Sequence, residues 1–103
     1  MTPIKQPVAL VTGAGRNIGR AIALGLAASG HAVAVNVRAS LDEGQAVVDE
    51  IKAGGGQAML CAADVTERAA VAAMVGAITQ AWGRLDVVVT LYFLFRKQCL
   101  EFQ

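Results

Sequence analysis

A chain of 103 residues fits one domain of modest size, and 55% hydrophobic against 17% charged residues excludes a disordered composition. Nine Lys and Arg against eight Asp and Glu leave a formal charge of +1, which excludes an electrostatic footprint for nucleic acid or an anionic membrane surface. Cys61 and Cys99 have neither CxxC nor metal-ligand spacing, so no metal site and a reduced, cytoplasmic setting are expected.

In chain order, Pro3 and Pro7 interrupt the N-terminus before any apolar run of signal-peptide length. Residues 8–12, Val-Ala-Leu-Val-Thr, form a short apolar run that ends in glycines and predict a buried strand. From Asn17, the residues Ile18, Ala21, Ile22, Gly25 and Leu26 recur at helical spacing, with a stop at Ser29 and Gly30. Ala32 to Val37 predicts a second buried strand. Leu41 to Ala53 predicts a second helix with Gly44, Val47, Val48 and Ile51 on one face, ended by Gly54, Gly55 and Gly56.

A third strand is expected over 57–63, and Thr66 is the expected N-cap of a third helix. Val71, Met74, Val75, Ile78 and Trp82 trace its apolar stripe, Gly83 stops it, and 85–89 predict a fourth strand. Strands without polar alternation, separated by helices, specify parallel βαβ units with both sheet faces covered. That is an α/β, doubly wound parallel sheet.

Residues 91–103 read differently. Four of the five aromatics (Tyr92, Phe93, Phe95, Phe102) lie here, while every glycine and alanine lies before Thr90. We therefore divide the chain into an α/β unit over 1–90 and a divergent tail over 91–103. A shifted reading frame, an unspliced intron or an alternative exon would produce such a break; an ordinary C-terminal helix with aromatic packing is the other reading. The apolar run Leu91 to Phe95 is far below the ~20 residues needed to span a bilayer, so no membrane partner is expected.

Thr12-Gly-Ala-Gly-Arg-Asn-Ile-Gly19 falls between an expected strand and an expected helix. Glycines there permit a tight turn and let a pyrophosphate approach the backbone, and the helix N-terminus offers it free N–H groups. The run resembles the Thr-Gly-x-x-x-Gly-x-Gly motif of the short-chain dehydrogenase/reductase family, and the resemblance extends from about Val8 to Val89. Asn17 stands where that family usually has its middle glycine. Asn best tolerates glycine-like backbone angles and can also cap a helix.

The resemblance implies a Rossmann-like sheet of about four strands in the order 3-2-1-4, with Gly13, Gly15, Arg16, Asn17, Ile18 and Gly19 around the cofactor's phosphates. Where NAD-preferring relatives carry an acidic residue at the end of the second strand, the matched position is Val37, followed by Arg38. A guanidinium suits a 2′-phosphate. Arg16 adds a second positive charge, as in NADP-preferring relatives, and Ser40 a hydroxyl. NADP(H) is thus the expected cofactor, with Arg38 as a merely solvated loop charge the alternative. The resemblance also implies that Asp64 accepts from the adenine amino group and that Val65 contributes backbone contacts. Alternatively, Asp64 simply helps Thr66 to begin the third helix.

After the fourth strand the resemblance ends. The family reads Asn-Asn-Ala-Gly where this chain has Thr90-Leu-Tyr-Phe93, and its catalytic Ser and Tyr-x-x-x-Lys lie further on. Tyr92 is followed four residues later by Arg96, with Lys97 one residue out of register, so no catalytic residue is assigned. The family transfers hydride between a nicotinamide cofactor and a carbonyl or alcohol, and residues 36–40 with 55–58 look most like its 3-oxoacyl-carrier-protein reductase branch. Three functional readings follow: a cofactor-binding portion without turnover, a non-catalytic module that binds or senses NADP, and a small enzyme built on Tyr92. The fourth strand is also expected to offer an exposed edge for self-association.

Overall fold

The computed structural model describes residues 3–90. The chain alternates strands and helices throughout: β1 (Val8–Val11), α1 (Asn17–Ala28), β2 (Ala32–Val37), α2 (Leu41–Ala53), β3 (Ala58–Ala62), α3 (Arg68–Trp82) and β4 (Val87–Val89). The strands form one parallel sheet in the order β3-β2-β1-β4. Register is set by pairs such as Leu10 with Ala34, Leu10 with Val88, and Val35 with Leu60.

The lack of polar alternation in β1 and β2 has its physical reason in their position. Every residue of both strands is buried, because helices cover the sheet on each side. Val11, Val33 and Val35 pack with Val47, Val48 and Ile51 of α2 on one face. Val8, Leu10 and Ala34 pack with Met74, Ile78 and Trp82 of α3 on the other. Ile78 is fully buried, and removing such a side chain from water is worth about 1.5–3 kcal/mol. β1 has β2 on one side and β4 on the other, so the chain reverses its direction of travel across the sheet at β1. In open α/β sheets the ligand crevice forms at such a point, beyond the carboxyl ends of the strands.

The helix faces agree with the sequence for α2, where Gly44, Val47, Val48 and Ile51 are buried, but not for α1. There the buried residues are Gly19 and Ala23, with Ile22, Leu26 and Ala27 packed nearby, while Ile18 is 64% exposed. The inward face is built on small residues that let the helix approach the sheet closely, so hydrophobic bulk misplaces it by one residue. Gly83 does end α3 as expected, at φ 75°, and a Cβ there would stand only 2.7 Å from Pro3 Cα. Asp86 ties the sheet's far edge together: its carboxylate accepts from the Val8 N–H at 2.8 Å and from Arg84 Nε at 2.8 Å. Arg84, then Val8, holds its carboxyl below the usual aspartate range. Burial pushes the Cys61 thiol up to about 11, as befits a small apolar packing residue. The tail over 91–103, with Leu91 to Phe95, Tyr92, Lys97 and Cys99, lies outside the described residues.

Candidate cofactor site

The turn after β1 is shaped by four backbone requirements. Gly13 takes φ 59° and Asn17 φ 56°, and Asn17 is the one non-glycine residue with positive φ among the described residues. A Cβ on Gly19 would collide with the Gly13 carbonyl oxygen, and one on Gly15 would lie 3.1 Å from Val37 Cγ1. The glycines therefore close the turn onto α1 and onto the end of β2. The Ala14 N–H donates to the Asn36 carbonyl at 3.0 Å, which pins the turn to β2. Arg16, in extended conformation, occupies the N-cap position of α1. No side chain caps this helix and no acidic residue lies in its first turn, so its positive end is uncompensated. The capping role expected of Asn17 is thus not taken up: its left-handed φ places it in the turn rather than at the cap.

Two adjoining hollows open here at the carboxyl ends of β1, β2 and β3. The larger, about 280 Å³, is lined by Gly13, Gly15, Arg16 and Val37, and by Arg38, Ala39, Ser40 and Glu43. The smaller, about 90 Å³, shares Gly13 and Arg38 and is completed by Thr12, Asn36, Ala63, Asp64 and Val65. Arg16, Arg38 and Ser40 therefore meet around one hollow, and Arg38 stands between it and Asp64 and Val65. Asn17 and Gly19 shape the turn without lining either hollow. Ile18 lines neither and faces solvent.

The charges are arranged for exchange. Arg38 Nε lies 3.4 Å from Asp64 Oδ2, yet the Arg38 side chain is 78% exposed and free to turn to another anion. Among the described residues Arg16 forms no ion pair. Ser40 is the N-cap residue of α2, but its side chain makes no cap hydrogen bond. The Asp64 carboxyl lies below its usual range, first because the Thr66 hydroxyl and N–H donate to it, at 2.6 and 2.9 Å, and last because of Arg38. Thr66 is spent on that turn rather than on capping, and α3 begins at Arg68 with Glu67 in the N-cap position. Asn36 and Glu43 were not singled out from sequence. A buried amide inside the apolar run Ala-Val-Ala-Val-Asn-Val was the available signal for Asn36, whereas an acid in a helix's first turn, like Glu43, ordinarily reads as dipole compensation.

Residues 7–91 match the family described as short chain dehydrogenase. The chain belongs to that family. It is 48% identical over 81 residues to the 3-oxoacyl-[acyl-carrier-protein] reductase of Staphylococcus aureus, covering 79% of this chain and 33% of that protein. A dehydrogenase/reductase from Sinorhizobium meliloti superposes with a TM-score of 0.81 at 37% identity, over 86% of this chain and 35% of the other. A short chain dehydrogenase from Burkholderia cenocepacia, solved in complex with NADP, gives a TM-score of 0.76 at 43% identity, over 80% and 34%. The chain thus spans about a third of the length of the curated relatives it matches. The matched region takes in the sheet and the glycine turn, and two of the similar structures were solved in complex with NADP. Among the described residues no helix is long and apolar enough to cross a membrane, and no group of three or more His, Cys, Asp or Glu could hold a metal ion.

Proposed function

We propose that this chain is the NADP(H)-binding portion of a short chain dehydrogenase acting on a carbonyl or alcohol, with residues 1–90 as the nucleotide-binding unit and 91–103 as a separate tail. The observation that carries the proposal is the meeting of Arg16, Arg38 and Ser40 around one hollow, at a strand end where Val37 stands in place of a carboxylate. The fit of the cofactor rests on the glycine turn: Gly19 lets α1 close against Gly13, and Gly15 leaves open the side of the hollow lined by Val37 and Glu43, as the turn before a pyrophosphate requires.

In this reading the backbone of Gly13, Gly15, Arg16, Asn17, Ile18 and Gly19 holds the pyrophosphate against the α1 N-terminus. Ile18 contributes through its main chain at the helix start, since its side chain faces away from both hollows. Arg38 exchanges Asp64 for the 2′-phosphate, Arg16 closes on the same group, and the Ser40 hydroxyl donates to it. Asp64, once released, accepts from the adenine amino group beside Val65. The bound cofactor supplies or accepts the hydride. Returning a proton to the substrate oxygen needs a separate acid, and the one tyrosine, Tyr92, is followed four residues later by Arg96 rather than by a lysine. We therefore assign residues 1–103 cofactor binding without turnover of their own, in the cytoplasmic setting expected from the cysteine spacing. The 48% identity to a 3-oxoacyl-carrier-protein reductase supports a 3-oxoacyl thioester as the substrate class of the whole protein.

Fluorescence titration tests the cofactor assignment. NADPH should bind more tightly than NADH by about tenfold, the worth of one exposed charge-assisted contact, and Arg38→Asp should reverse the order. Tighter binding of NADH by the unaltered chain would overturn the assignment.

A further inference from the structure

Asn36 is the one polar residue of β2 and is 2% exposed. Burying an amide is costly unless its hydrogen bonds are made, and a valine would suit a central strand better. Its side chain does not merely satisfy itself. Nδ2 donates to the Cys61 carbonyl at 3.0 Å and to the Ala63 carbonyl at 3.2 Å, while Met74 Sδ lies 3.4 Å away on a third side. Two carbonyl oxygens facing one end of the amide fix which end is the nitrogen, because an oxygen there would repel both.

These bonds fall where the chain leaves β3. Ala63 is held on both sides, its N–H donating to the Val37 carbonyl at 3.0 Å and its carbonyl accepting from Asn36. Asp64 is the next residue. The Asn36 main-chain carbonyl, meanwhile, accepts from Ala14 in the glycine turn at 3.0 Å. One residue thus joins the phosphate turn to the loop carrying Asp64 and Val65, and it lies in the wall of the smaller hollow between them.

We infer that Asn36 is a positioning residue for base recognition: by holding Ala63 it sets where the Asp64 carboxylate stands relative to the glycine turn, and so lets the site distinguish adenine from a base without its amino group. This rests on the cofactor reading above. The side-chain bonds of Asn36 run to Cys61, Ala63 and Met74, whereas its bond to the glycine turn is made by the main chain and survives substitution, so a change of side chain acts at the base end of the nucleotide.

The test compares NADPH with its deaminated analogue, nicotinamide hypoxanthine dinucleotide phosphate, by titration of the full chain and of Asn36→Val. The unaltered chain should prefer the adenine form by about tenfold, one charge-assisted hydrogen bond. In Asn36→Val that preference should fall to within about twofold, while the preference for NADPH over NADH persists. Asn36→Thr, which keeps one donor, should recover part of the base preference and serves also if the valine variant does not fold. Equal loss of affinity for both bases with the preference retained would mean a purely structural role and would overturn the inference. So would an unaltered chain that binds both forms equally. An unaltered chain that binds neither nucleotide overturns the cofactor reading, and this inference with it.

Discussion

Asn17 offers a direct measure of how the glycine turn is built. It holds φ 56° where α1 begins. For a residue with a Cβ the left-handed region costs roughly 1–2 kcal/mol, and Asn is among the few that visit it routinely because its short polar side chain can bond locally. Asn17→Ala loses that relief and should cost about 1 kcal/mol, and the β-branched Asn17→Val about 2 kcal/mol. Asn17→Gly removes the strain altogether but gives the unfolded chain more freedom to lose, an opposing effect of about 0.5–1 kcal/mol, so it should be close to neutral. For a domain of this size 1 kcal/mol moves Tm by about 4–8 °C. Circular-dichroism melts should therefore rank the variants Gly and Asn together, Ala below, and Val lowest. An alanine variant as stable as the unaltered chain, or a glycine variant as destabilised as alanine, would show that this backbone angle is not what the position requires.

Two further outcomes follow from the sheet's far edge. Because Arg84 and the Val8 N–H depress the Asp86 carboxyl in the fold, its contribution to stability is full above the ordinary carboxylate range, shrinks as pH falls below that range, and is gone once pH passes the depressed folded value. Asp86→Asn should lower the urea midpoint at pH 7, and the gap from the unaltered chain should close below about pH 4; a gap unchanged at pH 3 would refute the linkage. Val88 is 56% exposed on β4, whose outer side pairs with no strand among the described residues. We expect self-association along that edge and expect Val88→Lys to reduce it, since charge blunts edge pairing. A clean monomer of the unaltered chain in size-exclusion chromatography would count against it.

The sheet was legible because its strands have no polar face: runs such as Ala-Val-Ala-Val-Asn-Val have no solvent side, so only a sheet covered on both faces can hold them. The breaks at Ser29, Gly54 and Gly83 were legible for the same local reason, since chain reversal needs small residues there. The face of α1 was legible only in part: Ile22 and Leu26 do pack against the core, but Gly19 and Ala23 pack by being small, and a search for bulk passes over them to Ile18. The start of α3 was misplaced because two residues competed for one hydroxyl: Thr66 bonds Asp64 instead of the helix. Within the cofactor site, Arg16, Arg38, Ser40, Asp64 and Val65 were named through the family resemblance at the ends of the first three strands, and the fold brings them around two adjoining hollows. Asn36 was passed over because its role depends on β3 and the glycine turn, which come together only in three dimensions.

The central claim is that the adenosine half of NADP(H) lies across the two hollows, its 2′-phosphate between Arg16 and Arg38. The most direct measurement is amide chemical-shift mapping of the isotopically labelled chain with 2′,5′-ADP. We predict the largest shifts at Gly13, Gly15, Arg16, Arg38, Ser40, Asp64 and Val65, with the Arg38 and Ser40 shifts largely absent when 5′-ADP is used instead. Shifts confined to the groove between β3 and α3, around Met59, Ala70 and Ala73, or identical maps for the two nucleotides, would contradict it.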